Sequence, residues 1–197
     1  MENEIKVPEK ITATEIRIEE TNNREKKETV LDRIIQPPHT KISREVVESD
    51  ITRIVDESKV LYEICYTQDG VKYFGALAMA HPQINSEDPL RLFVTAEKEI
   101  IINPVIKRHT NYTVDSEEGC VSFPGKARVK VQRWHKIEVE YQTIMVDPED
   151  KNKFKLSSII EEGLSGLDAR CFQHEYDHLD AKYIYPLEEN DEHSKAD

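Results

Sequence analysis

Residues 174–178 read H-E-Y-D-H, in a segment whose apolar spacing predicts a helix from about Ser165 to Asp180. Residues four apart lie one turn apart on the same helix face, so the two histidines can hold one metal ion while Glu175 reaches the attacking water. Ser165 is the predicted helix cap, with an acidic residue three positions later. We expect the inward stripe of this helix to contain Leu167, Cys171, His174 and His178.

Two histidines leave a catalytic tetrahedral metal site one protein ligand short, because the fourth position is kept for water. Upstream, Cys120 stands in the polar, glycine-flanked run of residues 117–120, and a metal would stabilise its thiolate. Cys65 and Cys171 fall in apolar-periodic segments, which favours core packing for both. The downstream candidates follow Pro186 on a poor scaffold, and they are Glu188, Glu189, Glu192 and His193.

The composition limits the classes of function. The 197 residues carry a formal net charge of -12, which argues against direct nucleic-acid binding and against anionic membranes. No apolar run approaches the roughly 20 residues that a membrane span requires. The first ten residues, MENEIKVPEK, resemble neither a signal peptide nor a transit peptide, so we expect a cytoplasmic protein.

The chain reads as one α+β domain, mainly antiparallel strands around a central helix that carries the H-E-x-x-H motif. We expect a charged N-terminal extension over residues 1–31, with a short strand around Ile16 and Ile18, one domain over residues 32–186, and an acidic tail over residues 187–197. A first helix is predicted from about Asp50 to Tyr66, capped by Ser49 or Asp50. Predicted strands, bounded by turns such as Asn103-Pro104, are Leu90–Val94, Ile100–Ile102, Arg128–Val131 and Ile137–Tyr141.

Three segments resemble motifs of the peptide deformylase family. Residues 118–122, E-G-C-V-S, are similar to its E-G-C-[LV]-S motif, and residues 173–180, Q-H-E-Y-D-H-L-D, to its Q-H-E-x-D-H-L signature. Residues 76–83, A-L-A-M-A-H-P-Q, form a degraded match to G-x-G-[LI]-A-A-x-Q. The motifs occur in the order of the family, over about Asp32 to Pro186. The resemblance implies metal-dependent removal of the N-formyl group from the formyl-methionine of newly made polypeptides, with release of formate.

The resemblance also implies a role for each matching residue. Cys120, His174 and His178 would be the metal ligands, and Glu175 the general base and then the general acid. The Gln83 side-chain amide and the Val121 backbone N–H would face the developing oxyanion. Leu77, Leu167 and Cys171 match positions of the methionine side-chain pocket, although core packing explains them equally well. The predicted substrate-binding residues are Leu77, Ala78, Glu118, Gly119, Leu167 and Cys171.

The implied cofactor is one divalent ion per chain, Fe²⁺ physiologically, with Zn²⁺ or Ni²⁺ in purified protein. The implied partners are N-formyl-Met peptides or nascent chains. In the family, a basic C-terminal helix is associated with docking at the ribosome. No such helix is evident in residues 187–192.

Three residues depart from the family pattern: Ala76 and Ala78 replace glycines, and His81 replaces an alanine. Alanine at the first two positions could narrow the substrate cleft. His81 could pack without consequence, perturb Gln83 or bind metal.

Two alternatives stay open. One is a deformylase-like protein without turnover that binds peptide N-termini, which the altered glycines favour and the intact Glu175 opposes. The other is a zinc peptidase with a different third ligand, which would keep its metal when Cys120 is replaced.

Overall fold

Nine strands and two α-helices make up the described part of the chain. The computed structural model describes residues 33–35, 40–65, 76–97, 99–151 and 153–187. The predictions for residues 1–31, including the strand at Ile16 and Ile18, lie outside these residues, as does the acidic tail beyond Leu187. The helices are α1 (Ile51–Cys65) and α2 (Gly166–Leu179). The strands are β1 (Ala78–Ala80), β2 (Leu92–Thr95), β3 (Ile100–His109), β4 (Thr113–Glu118), β5 (Val129–Trp134), β6 (Lys136–Gln142), β7 (Ile144–Val146), β8 (Phe154–Leu156) and β9 (Ile160–Ser165).

Every strand pair is antiparallel. The main sheet has the order β1-β2-β3-β6-β9, and two separate two-stranded ribbons pair β4 with β5 and β7 with β8. The α+β class with antiparallel strands and two helices is therefore confirmed. Neither helix in the described residues combines the length and apolar character that a membrane crossing requires.

The main sheet is covered by a helix on each face. Side chains of β2 alternate between two apolar clusters: Leu92 and Val94 pack with α1, and Phe93 packs edge-on against Phe172 of α2. Each fully buried side chain of this size contributes about 1.5–3 kcal/mol. The near-continuous apolar sequence of β2 follows from burial on both sides. The sheet thereby fixes α2, and with it residues 174–178, against a packed layer.

Helix α2 begins and ends within one residue of its predicted bounds. Ser165 occupies the position before the helix as expected, but its side chain makes no capping hydrogen bond. Gly166 has φ +59°, a left-handed conformation that lets β9 turn directly into α2.

The predicted inward stripe of α2 needs a correction. Leu167 is 50% exposed, and Cys171 is half-buried rather than a core residue. The face that packs on the sheet consists of Ala169, Phe172 and Leu179. The reason is that α2 has two functional faces: one packs on apolar strands, and the other borders a cavity.

Helix α1 is confirmed, and a 3₁₀ turn over Glu48–Asp50 precedes it. The Asp50 carboxylate points back rather than capping the helix: it accepts a hydrogen bond from the Val47 N–H at 2.9 Å and two from the Arg44 guanidinium at 2.8 Å.

Asn103-Pro104 does not end a strand as predicted. β3 continues through it to His109 with a register shift, because Asn103 adopts φ +51° and forms a bulge. The Asn103 side chain replaces the lost ladder bonds with hydrogen bonds to the backbone N–H and C=O of Val46. The other predicted strands also extend or shift, to Leu92–Thr95, Val129–Trp134 and Lys136–Gln142.

Candidate active site

A cavity of about 260 Å³ opens between β1, the end of β4 and α2. Its lining contains every residue that the sequence predicted for substrate binding, namely Leu77, Ala78, Glu118, Gly119, Leu167 and Cys171. Gln83, Cys120, Val121, His174 and Glu175 border the same space. The motifs that lie far apart in the sequence therefore meet at one place.

The three predicted ligand residues meet at the base of this cavity. Cys120 follows β4 across one glycine, while His174 and His178 stand one turn apart on α2. Their ligand atoms all lie within 4.8 Å of one another, and Cys120 Sγ is 3.3 Å from His178 Nε2. One thiolate and two imidazoles suit a tetrahedral divalent metal and leave one position open. The arrangement is a possible metal site.

His174 is oriented by an ion-pair network. Its Nδ1 lies 2.9 Å from Glu118 Oε2, which leaves Nε2 for a metal. Arg133, only 6% exposed at its side chain, donates to both Glu118 oxygens at 2.9 and 2.8 Å and to Asp177 at 2.6 Å. Burial opposes ionisation of Glu118, but the hydrogen bonds from His174 and Arg133 hold its pKa well below the usual range. This geometry fits a role of Glu118 in orienting His174.

Sequence reasoning missed Arg133. The sequence pattern that could have revealed it is the alternation of inward and outward residues along β5. Val129, Val131 and Arg133 share the inward face, whereas the residues between them are exposed. An inward arginine requires a carboxylate partner, and Glu118 and Asp177 supply two.

Glu175 points a free oxygen into the site. The residue is 5% exposed, and its Oε2 has no hydrogen-bond partner among the described residues. Burial raises the pKa of this carboxyl to about 7, against a partial opposing effect of the His174 charge. A carboxylate of that pKa accepts and returns a proton near neutrality.

The Gln83 amide has a fixed orientation. Its Oε1 accepts the Ala80 N–H at 2.7 Å, so its NH₂ group turns to Ser122 Oγ at 3.0 Å and to Cys120 Sγ at 4.0 Å. The Gln83 side chain is thereby held with its donor toward the three ligand residues. Ser122, which is buried, was another residue without a predicted role.

His81 is a packing residue on the α1 side of the cavity wall. The Leu90 N–H donates to Nδ1 at 3.0 Å, so Nε2 carries the proton and donates to Glu57 at 2.5 Å. Both ring nitrogens of His81 are therefore engaged in hydrogen bonds. Among the described residues, the group that could hold a metal consists of Cys120, His174 and His178 and does not include His81. Of its three considered roles, packing fits.

Ala76 and Ala78 line the cavity, and Ala78 pairs with Thr95 as an ordinary strand residue. Among the described non-glycine residues only Asn103 and Ala181 have positive φ, so neither alanine strains the backbone. Neither methyl group therefore requires a distorted backbone.

Comparison with known proteins identifies the family of the chain. A sequence model of the family described as polypeptide deformylase matches residues 32–192. The chain belongs to the peptide deformylase family.

Among curated relatives, chloroplastic peptide deformylase 1B of Solanum lycopersicum is 30% identical over 138 residues, which are 67% of this chain and 42% of the relative. Peptide deformylase 1B of Arabidopsis thaliana, named chloroplastic/mitochondrial, is 30% identical, and the match covers 46% of it. The chain thus spans less than half the length of these plant deformylases.

Among solved structures, peptide deformylase from Thermotoga maritima aligns with TM-score 0.56 and 29% identity, covering 76% of this chain and 89% of that one. The deformylase of the Vibrio parahaemolyticus bacteriophage VP16T, solved with actinonin, gives TM-score 0.56 and 30% identity, covering 75% of this chain and 94% of that one. The fold that the chain shares with these structures is therefore that of known deformylases.

Proposed function

We propose that the chain is a metal-dependent hydrolase that removes the N-formyl group from the formyl-methionine of newly made polypeptides and releases formate. One observation carries the proposal: the ligand atoms of Cys120, His174 and His178 converge within 4.8 Å, next in sequence to the buried Glu175, whose Oε2 has no hydrogen-bond partner among the described residues. The family of the chain and the solved deformylases support it. Residues 32–186 would form the catalytic domain.

The donor set fits one divalent ion, held by Cys120 Sγ and one nitrogen of each histidine. Such an ion lowers the pKa of water and polarises a carbonyl oxygen. We propose Fe²⁺ as the physiological ion on the resemblance to the family, since a thiolate with two imidazoles also accepts Zn²⁺ and Ni²⁺.

The side chains around the ligands have separate roles in proton transfer, stabilisation of negative charge and positioning. Glu175 accepts the proton of the attacking water and then delivers it to the leaving α-amine. Gln83 Nε2 and the Val121 backbone N–H donate to the oxygen on which negative charge develops, and each such donor contributes about 3 kcal/mol. Glu118 holds the His174 ring, and Leu77, Ala78 and Gly119 border the path of the peptide.

The test is formate release from a formyl-Met peptide by anaerobically prepared Fe²⁺ protein. Glu175→Gln should keep the metal and bind the peptide near normally, while turnover falls by about 10²–10⁴-fold because the proton acceptor is lost. Gln83→Ala should also lower turnover more than binding. Glu161→Gln, an exposed glutamate on β9, is the matched control and should leave turnover unchanged. Peptide binding without formate release by the unmodified protein would refute the hydrolase and favour the binding alternative.

Replacement of Cys120 separates a deformylase from a peptidase of the H-E-x-x-H type. Cys120→Ala should weaken metal binding and alter the absorption edge, whereas undiminished affinity with unchanged coordination would refute the ligand assignment. The cytoplasmic location and any ribosome contact stay predictions, and plant relatives carry chloroplastic names.

A further inference from the structure

The chain turns back toward α2 directly after the helix ends. Asp180 caps the helix, and Ala181 adopts the left-handed conformation, with φ +55°. The Ala181 N–H bonds His178 O at 3.1 Å, and the Lys182 N–H bonds Asp177 O at 2.8 Å. These two bonds form a Schellman termination, which redirects the chain across the end of the helix. The segment that follows is thereby brought back beside His178.

Tyr183 of this segment packs on His178, a proposed metal ligand. The two ring centroids lie 4.9 Å apart, with an interplanar angle of 47°. His178 also meets the ring of His174 edge-on at 4.9 Å, and it is 1% exposed. A histidine binds a metal along the direction of its ring nitrogen, so rotation of the ring moves the bond away from the ion. The Tyr183 ring therefore limits the orientations that His178 can adopt.

Two further aromatic residues connect Tyr183 to the loop that carries Cys120. Phe123 meets Tyr183 edge-on, with ring centroids 5.6 Å apart, and meets Tyr185 at 4.9 Å. The Phe123 N–H donates to Cys120 O at 3.0 Å, which closes a turn that begins at the ligand cysteine. The Tyr185 hydroxyl donates to Ala127 O at 2.7 Å. We call Phe123, Tyr183 and Tyr185 the C-terminal clamp.

The C-terminal clamp is separate from the surface that a substrate would contact. Among the described residues, the lining of the cavity includes Cys120 and His174 but no residue of the clamp. Phe123 and Tyr185 are 9% and 7% exposed. An effect of the clamp on the site would therefore act through the two ligands that it holds and not through a contact with substrate.

The ligands that the clamp connects come from distant parts of the sequence. Cys120 and His178 are 58 positions apart, and Sγ lies 3.3 Å from Nε2. Bonds from a tetrahedral Zn²⁺ to sulfur and nitrogen are about 2.0–2.3 Å long, so the ligand atoms need fixed separations. The left-handed Ala181 gives a second reason to assign the clamp a role. Alanine disfavours that conformation, which persists where surrounding contacts hold it.

We propose that the C-terminal clamp positions two of the metal ligands relative to each other. Tyr183 orients the ring of His178, while Phe123 and Tyr185 hold the Cys120 loop at the separation that a divalent ion requires. The inference rests on the proposed metal site and adds positioning residues beyond its ligands. Groups that orient ligands typically change metal affinity by about 10–100-fold when they are removed.

The experiment uses Co²⁺ as the probe, because its visible absorption reports coordination geometry and a thiolate ligand adds a near-ultraviolet charge-transfer band. The Kd for Co²⁺ is measured by chelator competition at constant pH, and unfolding of the metal-free protein is measured in parallel. The variants of the full chain are Tyr183→Ala, Tyr183→Phe, Tyr185→Phe and Tyr112→Ala. Tyr112 is the matched control: it stacks at 5.9 Å on His135, which is not a proposed ligand.

Tyr183→Ala should raise the Kd for Co²⁺ about tenfold or more and change the visible spectrum, because His178 can then rotate. Tyr183→Phe keeps the ring and should stay within about threefold of the unmodified protein. Tyr185→Phe loses the bond to Ala127 O and should raise the Kd by about three- to tenfold. Tyr112→Ala should stay within about twofold, since Tyr112 is 52% exposed.

A purely structural role predicts a different pattern. Tyr183→Ala would then unfold more easily without metal but keep the Kd and spectrum of the unmodified protein, which overturns the inference. Equal increases in Kd for Tyr183→Ala and Tyr183→Phe also overturn it, because the hydroxyl would then act and not the ring.

Tyr185→Phe keeps the test decisive if circular dichroism shows that Tyr183→Ala does not fold. It removes one hydroxyl, and an unchanged Kd in this variant overturns the inference. If the unmodified protein shows no thiolate charge-transfer band with Co²⁺, the proposed metal site fails instead, which keeps the two failures distinct.

Discussion

Glu118 connects His174, a proposed metal ligand, to Arg133 of the neighbouring ribbon. One of its oxygens meets His174 and the Arg133 guanidinium bridges both, so its loss would leave a buried arginine with Asp177 alone. We expect Glu118→Gln to weaken metal affinity by about 10–100-fold and to lower the free energy of unfolding by about 3 kcal/mol. Chelator competition and denaturant unfolding measure the two effects.

Its neighbour Glu117 is the matched control. That side chain is exposed, although the residue borders the same cavity, so Glu117→Gln should change stability by less than about 0.5 kcal/mol. Similar effects of the two substitutions would show that Glu118 acts only through the overall charge of the cavity.

Asp50 makes the stability of the fold depend on pH. Hydrogen bonds from Arg44, together with the Val47 N–H and against the effect of burial, lower the pKa of Asp50. Because the folded pKa lies below the unfolded one, its stabilisation is fully present above the unfolded value of about 3.9 and is lost as pH falls through the folded value. Asp50→Asn should cost about 2 kcal/mol at pH 6, and the cost should vanish in strong acid.

Denaturant unfolding from pH 6 downward measures this difference. Asp56→Asn is the control, since the Asp56 side chain is 71% exposed and its one ion pair among the described residues is with Lys59 on the same helix. A cost for Asp50→Asn that stays constant with pH would contradict the ionic account.

At the scale of elements, the corner between β9 and α2 depends on one glycine. A Cβ added at Gly166 would meet no atom within 4 Å, so the penalty for Gly166→Ala comes from its φ of +59° alone. We expect a loss of about 1–2 kcal/mol. Gly163→Ala in the same strand also meets no atom within 4 Å and has no left-handed φ, so it should be neutral or stabilising. Thermal unfolding compares them, and equal losses would mean that the corner is not strained.

The two helices were predictable because each carries a strong apolar period. α2 also carries the H-E-x-x-H motif, and its bounds shifted by one residue only. The ribbon strand β4 was not predicted, because its sequence TVDSEE has no apolar alternation. Its inward positions hold Ser116 and Glu118, which serve the cavity rather than a core. An edge strand such as β9, exposed along most of its length, gives an equally weak signal.

The sequence predicts which residues form most of the candidate site, but not the contacts between them. The three ligand residues and Glu175 belong to short motifs with a chemical reason for their spacing. Other residues of the site could not be predicted, because they reach it through contacts between segments that are distant in the sequence. These residues are Arg133, Ser122 and Arg170. The sequence wrongly places Leu167 on the buried stripe of α2. An apolar residue that borders a cavity contributes to the helical period in the same way as one in the core, so the pattern does not separate the two.

At the scale of the whole molecule, residues 1–30 should be dispensable for chemistry. A chain that starts at Leu31 should unfold at the same midpoint and release formate with kcat/KM within twofold per bound metal. The family match covers residues 32–192. Circular dichroism on heating and the formate assay measure the two properties.

A longer deletion is the control for this truncation. A chain that starts at Glu45 also lacks Ser43, whose N–H bonds Leu179 O at 2.8 Å, and Arg44, which holds Asp50 and Asp88. It should be clearly less stable. If the shorter deletion already prevents folding, the segment around Ile16 and Ile18 is an integral part of the fold.

The ribbon of β4 and β5 shares no strand pairing with the main sheet in the described part of the chain. A lone two-stranded ribbon is marginal in water. Here it is held to α2 by the Arg133–Asp177 ion pair, by the Gln173 hydrogen bonds to Trp134 and by the Cys120 thiol, which lies 3.3 Å from His178 Nε2. Amide protons of residues 113–118 and 129–134 should therefore exchange with deuterium through a local opening that becomes easier when the ion is removed. Protons of β2, buried on both faces, should exchange only on global unfolding. The deuterium uptake of this ribbon thus reports metal occupancy in a sample that contains no substrate.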